Sequence, residues 1–417
     1  MSFLTPKNLP ESVIFFRFFL YIFEAEKIGK MTNMKHHNIF IKTAFLFAVL
    51  ICCNISNAQE YNNWLLDDGD ILNFNTNPPS IDKIDFDNYK GNFSLSDDEG
   101  KLILYGGVSK SNKSNYIIKN NTNKVLVSFP CHLLINAIGC KSVSPNGSYY
   151  VAIVSSTKQK YKTFSIRLYK FDNKGVLKDS LISDKFNYSS LSLFMPMDNG
   201  DVYFWVYAQS KKIMEIYKLS GNKMFKEKTY AIELPEFSSF SGLSPNHVIL
   251  PLKNGGRIIC WFGNKGFILN HNIYTDKITV EKEFKQQEQY SCIALSANDK
   301  YCIFEKGRKI IRYNISDDFE VSNEKIIYEL TDENIISCTD MQLGYDDKIY
   351  AILQPKGEQY NRSIIYFDGI ETDNITVGTI VYANNFNSIT GFPKIPRIIE
   401  TKSTPCPEIA KPKIICE

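Results

Sequence analysis

Histidine is scarce in this chain of 417 residues: there are five, and beyond residue 58 only His132, His247 and His271, far apart from one another. None of the cysteine spacings is CxxC or another zinc pattern, so clustered ligands are missing and no metal site is expected. GxSxG, HExxH and a phosphate-binding loop are also missing, and with them the common signatures of a serine hydrolase, a zinc peptidase and a nucleotide binder. No cofactor is expected. No apolar run reaches the ~20 residues of a membrane-spanning helix, so the mature protein should carry no transmembrane span. An excess of one charge is lacking too. Lys and Arg total 48 against 45 Asp and Glu, and beyond residue 58 the balance is 42 to 42, which argues against a generally basic nucleic-acid binder. Long stretches of helical periodicity are absent as well.

What the chain has in quantity is apolar and aromatic side chains, 44% and 13% against 22% charged, enough for a sizeable core. Its length exceeds one ordinary domain of about 150 residues unless the architecture is a repeat or a barrel. Near the amino end Met34, Lys35, His36, His37 and Lys42 precede an apolar run over 43–53 that ends in Ser56-Asn57-Ala58. Residues 34–58 therefore read as a secretory signal peptide cleaved before Gln59, and residues 1–33 as an upstream extension from a start site placed too early. Lipoprotein processing at Cys52 or Cys53 is the weaker alternative, because Ile51 or Cys52 would have to serve as the small preceding residue. The protein is thus expected outside the cytoplasm: extracellular, on the cell surface or in the periplasm. The eight cysteines of the mature chain permit disulfides there. Cys292 and Cys302 flank a tight turn at a distance where hairpin partners face each other; the alternative is buried thiols on strands.

One short pattern recurs along the mature chain, an apolar strand followed by a turn rich in Ser, Pro, Asp, Asn and Gly and then a strongly apolar strand. Its copies are anchored at 96, 144, 197, 244, 296 and 344, spaced 48, 53, 47, 52 and 48 residues apart. Asp, Asn and Gly tolerate the positive φ angles of tight hairpins, and Pro presets a turn's first position, so each copy marks a hairpin. A further strand follows in each unit, as over 164–171, 213–219, 310–315 and 363–368. Four strands per fifty residues describe a blade of an all-β propeller. The repeat region, 59–396, has the length of seven blades, with six as the alternative. Strands over 70–75 and 81–86 lack a turn copy of their own, and 386–395 supplies a lone first strand. Joined, these ends make one composite blade that closes the ring through pairing of amino- and carboxyl-terminal strands and removes its free edges. Residues 397–417 read as a Pro/Cys-containing tail or truncated linker.

Several stretches carry a resemblance: Asn63-Trp64 with ILNFNTNPPS at 71–80, LSDDEGKLILYG at 95–106, MQLGYDDKIYAI at 341–352 and GFPKIP at 391–396. Together they resemble the amino-terminal propeller of secreted Bacteroidetes proteins associated with gliding motility and type IX secretion. The resemblance spans nearly all of 60–396 and implies a WD40-like propeller acting as a binding or scaffold module. Such proteins usually continue into immunoglobulin-like repeats and a sorting domain, so this chain reads as either a short relative or a fragment of one.

Catalytic signatures of propellers are mostly missing. Ser96-Asp97-Asp98-Glu99-Gly100 fits the first half of a sialidase Asp-box, but Leu102-Ile103 stand where Thr-Trp should follow, and Trp64, Trp205 and Trp261 are too few for a quinoprotein with one tryptophan per blade. A non-catalytic exported binding module is the leading reading. The alternative is a secreted carbohydrate-active hydrolase or lyase with a site at the channel mouth. Charge sorted by loop type sharpens the first. Connections between second and third strands hold Lys110, Lys113, Lys158, Lys160, Lys162, Lys211, Lys212, Lys253, Arg257, Lys306, Arg308, Lys309, Lys356 and Arg362, against Glu305 and Glu358. Connections between first and second strands hold Asp97, Asp98, Glu99, Asp198, Asp201, Asp299, Asp346 and Asp347 against three lysines. These two classes leave a blade at opposite ends, so the expected partner of the basic face is an acidic polysaccharide or an acidic protein surface.

Overall fold

The computed structural model describes residues 61–111, 115–131, 133–141, 147–156, 164–186, 190–191, 195–196, 202–208, 212–220, 223–232, 248–252, 257–262, 265–272, 277–285, 292–315, 324–356, 363–381 and Phe392. They form 28 strands in seven antiparallel sheets, with no α-helix among the described residues. This is a seven-bladed β-propeller.

Blade 1 contains β1 (Asn63–Leu65), β2 (Asp70–Asn73) and β3 (Ser80–Lys83); blade 2 contains β4 (Asn88–Ser96), β5 (Leu102–Ser109), β6 (Asn115–Asn120) and β7 (Val125–Pro130). Blade 3 runs from β8 (Leu133–Lys141) through β9 (Tyr149–Ser156) and β10 (Phe164–Phe171) to β11 (Leu177–Phe186). In blade 4 the first strand is split into β12 (Ser190–Leu191) and β13 (Met195–Pro196), both pairing β14 (Val202–Ala208), and β15 (Ile213–Ser220) and β16 (Lys223–Ala231) follow. Blade 5 holds β17 (Val248–Pro251), β18 (Arg257–Phe262), β19 (Lys265–Asn272) and β20 (Lys277–Lys285). Blade 6 holds β21 (Ile293–Leu295), β22 (Tyr301–Lys306), β23 (Lys309–Asn314) and β24 (Lys325–Glu329), and blade 7 holds β25 (Ile335–Leu343), β26 (Ile349–Pro355), β27 (Ser363–Asp368) and β28 (Thr376–Val381).

The turns form for the backbone reason read from sequence. Asp97 Oδ1 accepts the amides of Glu99 at 3.0 Å and Lys101 at 2.8 Å, while Gly100 takes a φ of +76°. A Cβ on Gly100 would also come within 2.6 Å of Asn75 Oδ1, so glycine is required there twice over. Blade 3 repeats the device between its third and fourth strands, where Asp172 Oδ1 accepts the amides of Lys174 and Val176. Asn120 does the same for Thr122 and Lys124 in blade 2. These acidic and amide side chains are occupied by their own turns.

Two expectations change. The turn at 244–246 was expected between the first and second strands of its blade. However, β17 pairs β18 directly, with Val248 opposite Trp261 and Pro251 opposite Ile258, so 244–246 precedes the first strand and 252–256 is the hairpin connection. The cysteine pair changes too. β21 and β22 pair with Ile293 opposite Phe304 and Leu295 opposite Cys302, so Cys302 lies three residues along its strand from Glu305, whose amide meets the Cys292 carbonyl. An odd offset turns side chains to opposite faces. Accordingly Cys302 packs with Phe304 and Ile311 on one face of blade 6, and Cys292 with Ile303 and Ile310 on the other. Neither is in a disulfide.

Closure is built around Trp64. Its side chain is 1% exposed, with ring centroids of Phe74 at 4.7 Å, Phe392 at 4.9 Å and Tyr350 at 5.6 Å. Blade 1 thereby packs its β1–β2 face on blade 7, while Leu65, Ile71 and Phe86 pack toward Tyr105 of blade 2. The Phe392 amide is anchored by Asp340 Oδ2 of β25 at 2.9 Å. The β1–β2 connection shares an end of the ring with the second-to-third connection of blade 2, because Asp68 pairs with Lys110 there. The β2–β3 connection meets the opposite end, where Asn75 Nδ2 donates to Gly100 O. β1, β2 and β3 therefore take the second, third and fourth positions of their blade. The strand expected over 386–395 lies outside the described residues except for Phe392, which sits against this blade's core.

Candidate binding face

The connections between second and third strands gather at one end of the ring, and seven of the fourteen basic residues expected there are described. Lys110, on the β5–β6 connection, pairs with Asp68. Arg257 begins β18, and its guanidinium bonds the Glu281 carboxylate through Nε at 3.0 Å and Nη2 at 2.5 Å. Lys306 pairs with Glu324 at 3.2 Å, and Lys309 with Glu329, its cross-strand neighbour, at 3.4 Å. Arg308 is spent on backbone: it donates to the carbonyls of Leu330, Asp332 and Ile335 at 2.5–2.9 Å and ties the β22–β23 hairpin to the segment entering blade 7. Lys212 and Lys356 have no ion pair among the described residues, and Lys356 is exposed. Lys113, Lys158, Lys160, Lys162, Lys211, Lys253 and Arg362 lie outside the described residues. The pairing of β17 with β18 puts Arg257 at the end of a first-to-second connection, at the other end of the ring. Of the described basic residues still at the second-to-third end, Lys212 of blade 4 and Lys356 of blade 7 are exposed.

Glu305, expected as a loop charge, is instead the fifth residue of β22 and 3% exposed. Burial pushes its carboxyl up to about 7, opposed by the hydrogen bond from the Cys338 amide and by nearby Arg308. A buried acid of this kind can in principle donate a proton. Its Oε1, however, accepts the Cys338 amide at 2.8 Å in the packed interface of blades 6 and 7. Arg312, also buried, spans the same interface from the other direction. It lies 4.1 Å from the Tyr301 ring centroid and donates to the carbonyls of Ile370 at 2.7 Å and Thr372 at 2.5 Å. Neither residue stood out from sequence as a structural anchor, although each is a charge in a strand, YCIFEK or KIIRYN, whose other charge lies at its end. No group of three or more His, Cys, Asp or Glu suited to a metal occurs among the described residues. Nor is any helix among them long and apolar enough to cross a membrane.

Among solved structures, a functionally unknown protein from Desulfotomaculum acetoxidans DSM 771 aligns with a TM-score of 0.49 at 12% identity, covering 80% of this chain and 99% of that one. Hsv2 of Kluyveromyces lactis aligns with a TM-score of 0.46 at 9% identity over 77% of this chain and 95% of its own. The Saccharomyces cerevisiae core factor gives 0.43 at 12% identity over 71% and 52%. At these similarities nothing of their roles transfers, and the propeller assignment stands on the strand pairing. No family model matches the chain, and no curated protein does.

Proposed function

We propose that this propeller is an exported, non-catalytic binding or scaffold module that docks an acidic partner through the second-to-third connections of blades 2, 3, 4 and 7. Export rests on the signal peptide at 34–58, and a gliding- or adhesion-related setting on the sequence resemblance alone. The docking face is supported by the basic excess of the second-to-third connections in the sequence, where Lys113, Lys158, Lys160, Lys162, Lys211 and Arg362 fall. Among the described residues, those of blades 5 and 6 are paired, bonded to backbone or moved to the other end, whereas Lys212 and Lys356 are exposed with no ion pair there. The acidic turns at the opposite end are largely consumed locally, as Asp97 is by its own turn. An anionic polysaccharide, with regularly spaced charge, suits such a spread of loops better than a single compact site.

The test is retention of the purified mature chain on a sulfated dextran matrix over a salt gradient. Replacing Lys158, Lys160 and Lys162 together by Glu should lower the eluting salt and weaken binding about fivefold, as expected for rim charges worth a few tenths of a kcal/mol each. Lys101→Glu, at the other end of the ring, should leave retention unchanged. Equal losses from both would reduce the pattern to composition.

A further inference from the structure

The register that separates Cys292 from Cys302 carries Cys292 to another cysteine. Cys292 immediately precedes β21 and Cys338 lies within β25, the first strands of the neighbouring blades 6 and 7. One residue bridges their backbones: the Glu305 amide donates to the Cys292 carbonyl at 3.4 Å, and Glu305 Oε1 accepts the Cys338 amide at 2.8 Å. The Cys292 side chain is near enough to Cys338 to be among the causes that raise the Cys338 thiol. Cys338 Sγ also reaches the Asp340 carbonyl at 3.3 Å. Both side chains belong to one apolar cluster with Ile303, Ile310 and Met341, Cys292 7% exposed and Cys338 wholly buried.

We propose that Cys292 and Cys338 form a disulfide that stitches blade 6 to blade 7 when the chain folds in an oxidising compartment, a condition that rests on the export reading above. The oxidant is a small disulfide or the disulfide of an oxidoreductase. The thiolate of Cys292, the less buried of the two, attacks one sulfur of that disulfide and expels the other as a thiol. The thiolate of Cys338 then attacks the Cys292 sulfur and releases the second thiol. Two protein thiols are oxidised, one external disulfide is reduced to two thiols, and the two protons leave with them. Once the blades have packed, burial holds the Cys338 thiol well above its ordinary value, with the Cys292 contact adding to this, so exchange belongs to folding and not to the finished ring. The bond would close a loop of roughly 45 residues containing β21, β22, β23 and β24. It would also fix the strand whose Asp340 holds Phe392, so the stitch lies next to the ring closure.

The test is refolding of the reduced, mature full-length chain in a mixture of reduced and oxidised glutathione, quenched with an alkylating agent in denaturant and mapped by non-reducing peptide mass spectrometry. A peptide joining Cys292 to Cys338, two hydrogens lighter than its reduced parts, is expected as the main cross-link. The thermal midpoint of this protein should fall by several degrees on reduction, and that of Cys292→Ser should not respond. Protein that is folded by circular dichroism yet yields both residues alkylated, or Cys292 joined to any other cysteine, overturns the proposal. The wild-type map decides even if the serine variant does not fold. Export is read separately, from a mature chain beginning at Gln59 in envelope or culture fluid, so the two readings fail independently.

Discussion

Glu305 is an acid kept among apolar side chains, and this makes stability depend on pH in a direction opposite to that of an ordinary ion-paired carboxylate. Its folded value is raised from 4.5 to about 7. Below about pH 4.5 the group is protonated in folded and unfolded chains alike, and its contribution is fully present. As pH rises, the unfolded chain ionises first, and the folded state loses up to about 3 kcal/mol by the time pH has passed 7. Glu305→Gln keeps an oxygen for the Cys338 amide and removes the titration. Denaturant unfolding between pH 5 and 7.5 should therefore fall less steeply with pH in the variant than in the parent, and parallel profiles would place the dependence elsewhere. Trp64 is a second residue with disproportionate weight. Trp64→Ala removes the ring shared by Phe74, Tyr350 and Phe392 and should cost about 3–5 kcal/mol in the same measurement, in line with other buried tryptophans.

At the scale of strands and turns, most of the architecture was legible. The strand expected over 164–171 is β10 and that over 363–368 is β27, because alternating apolar residues between turn residues leave little choice of register. Blade 5 was misphased because Ser244-Pro245-Asn246 is as good a turn signal as Asn254-Gly255-Gly256 and fits a period near fifty better than the true connection, which lies about ten residues on. The β1 strand was missed since three residues are too short to show a pattern. The site was less legible than the fold. Lys110 finds Asp68 at a separation of 42 residues, and Lys309 finds Glu329 only because β23 pairs β24, so net loop charge overstated what is free. Local roles remain readable: Asp97→Ala should destabilise by about 1 kcal/mol through its two lost turn bonds, and Asp97→Asn should restore most of it. Neither should change retention on the anionic matrix. Equilibrium unfolding beside the column measurement separates these outcomes. The fourth strands show how the ring guards its rim. β7, β11, β16, β20 and β24 each carry a bulge where they pair inward, and most bear lysine, both of which discourage edge-to-edge association.

For the molecule as a whole, each blade is held by its neighbours, so the seam where the first and last blades meet decides whether the ring is a ring. A chain ending at Val381 keeps all 28 described strands but loses Phe392 and its bond to Asp340. It should expose Trp64 to solvent, shift its fluorescence to the red and become rapidly sensitive to protease between blades 7 and 1; resistance equal to that of the full chain would show that the seam holds without its carboxyl-terminal contribution. The seam also sets an order in time. Trp64 opens the propeller and is made well before Phe392, with some 330 residues of synthesis between partners that touch. Until the late segment arrives, the aromatic surface at the joint has only part of its cover, and the earliest blade waits on the latest. A nascent chain of this design cannot finish folding while its end is still on the ribosome. Stalling in late synthesis therefore leaves a sticky, incomplete ring for chaperones to hold.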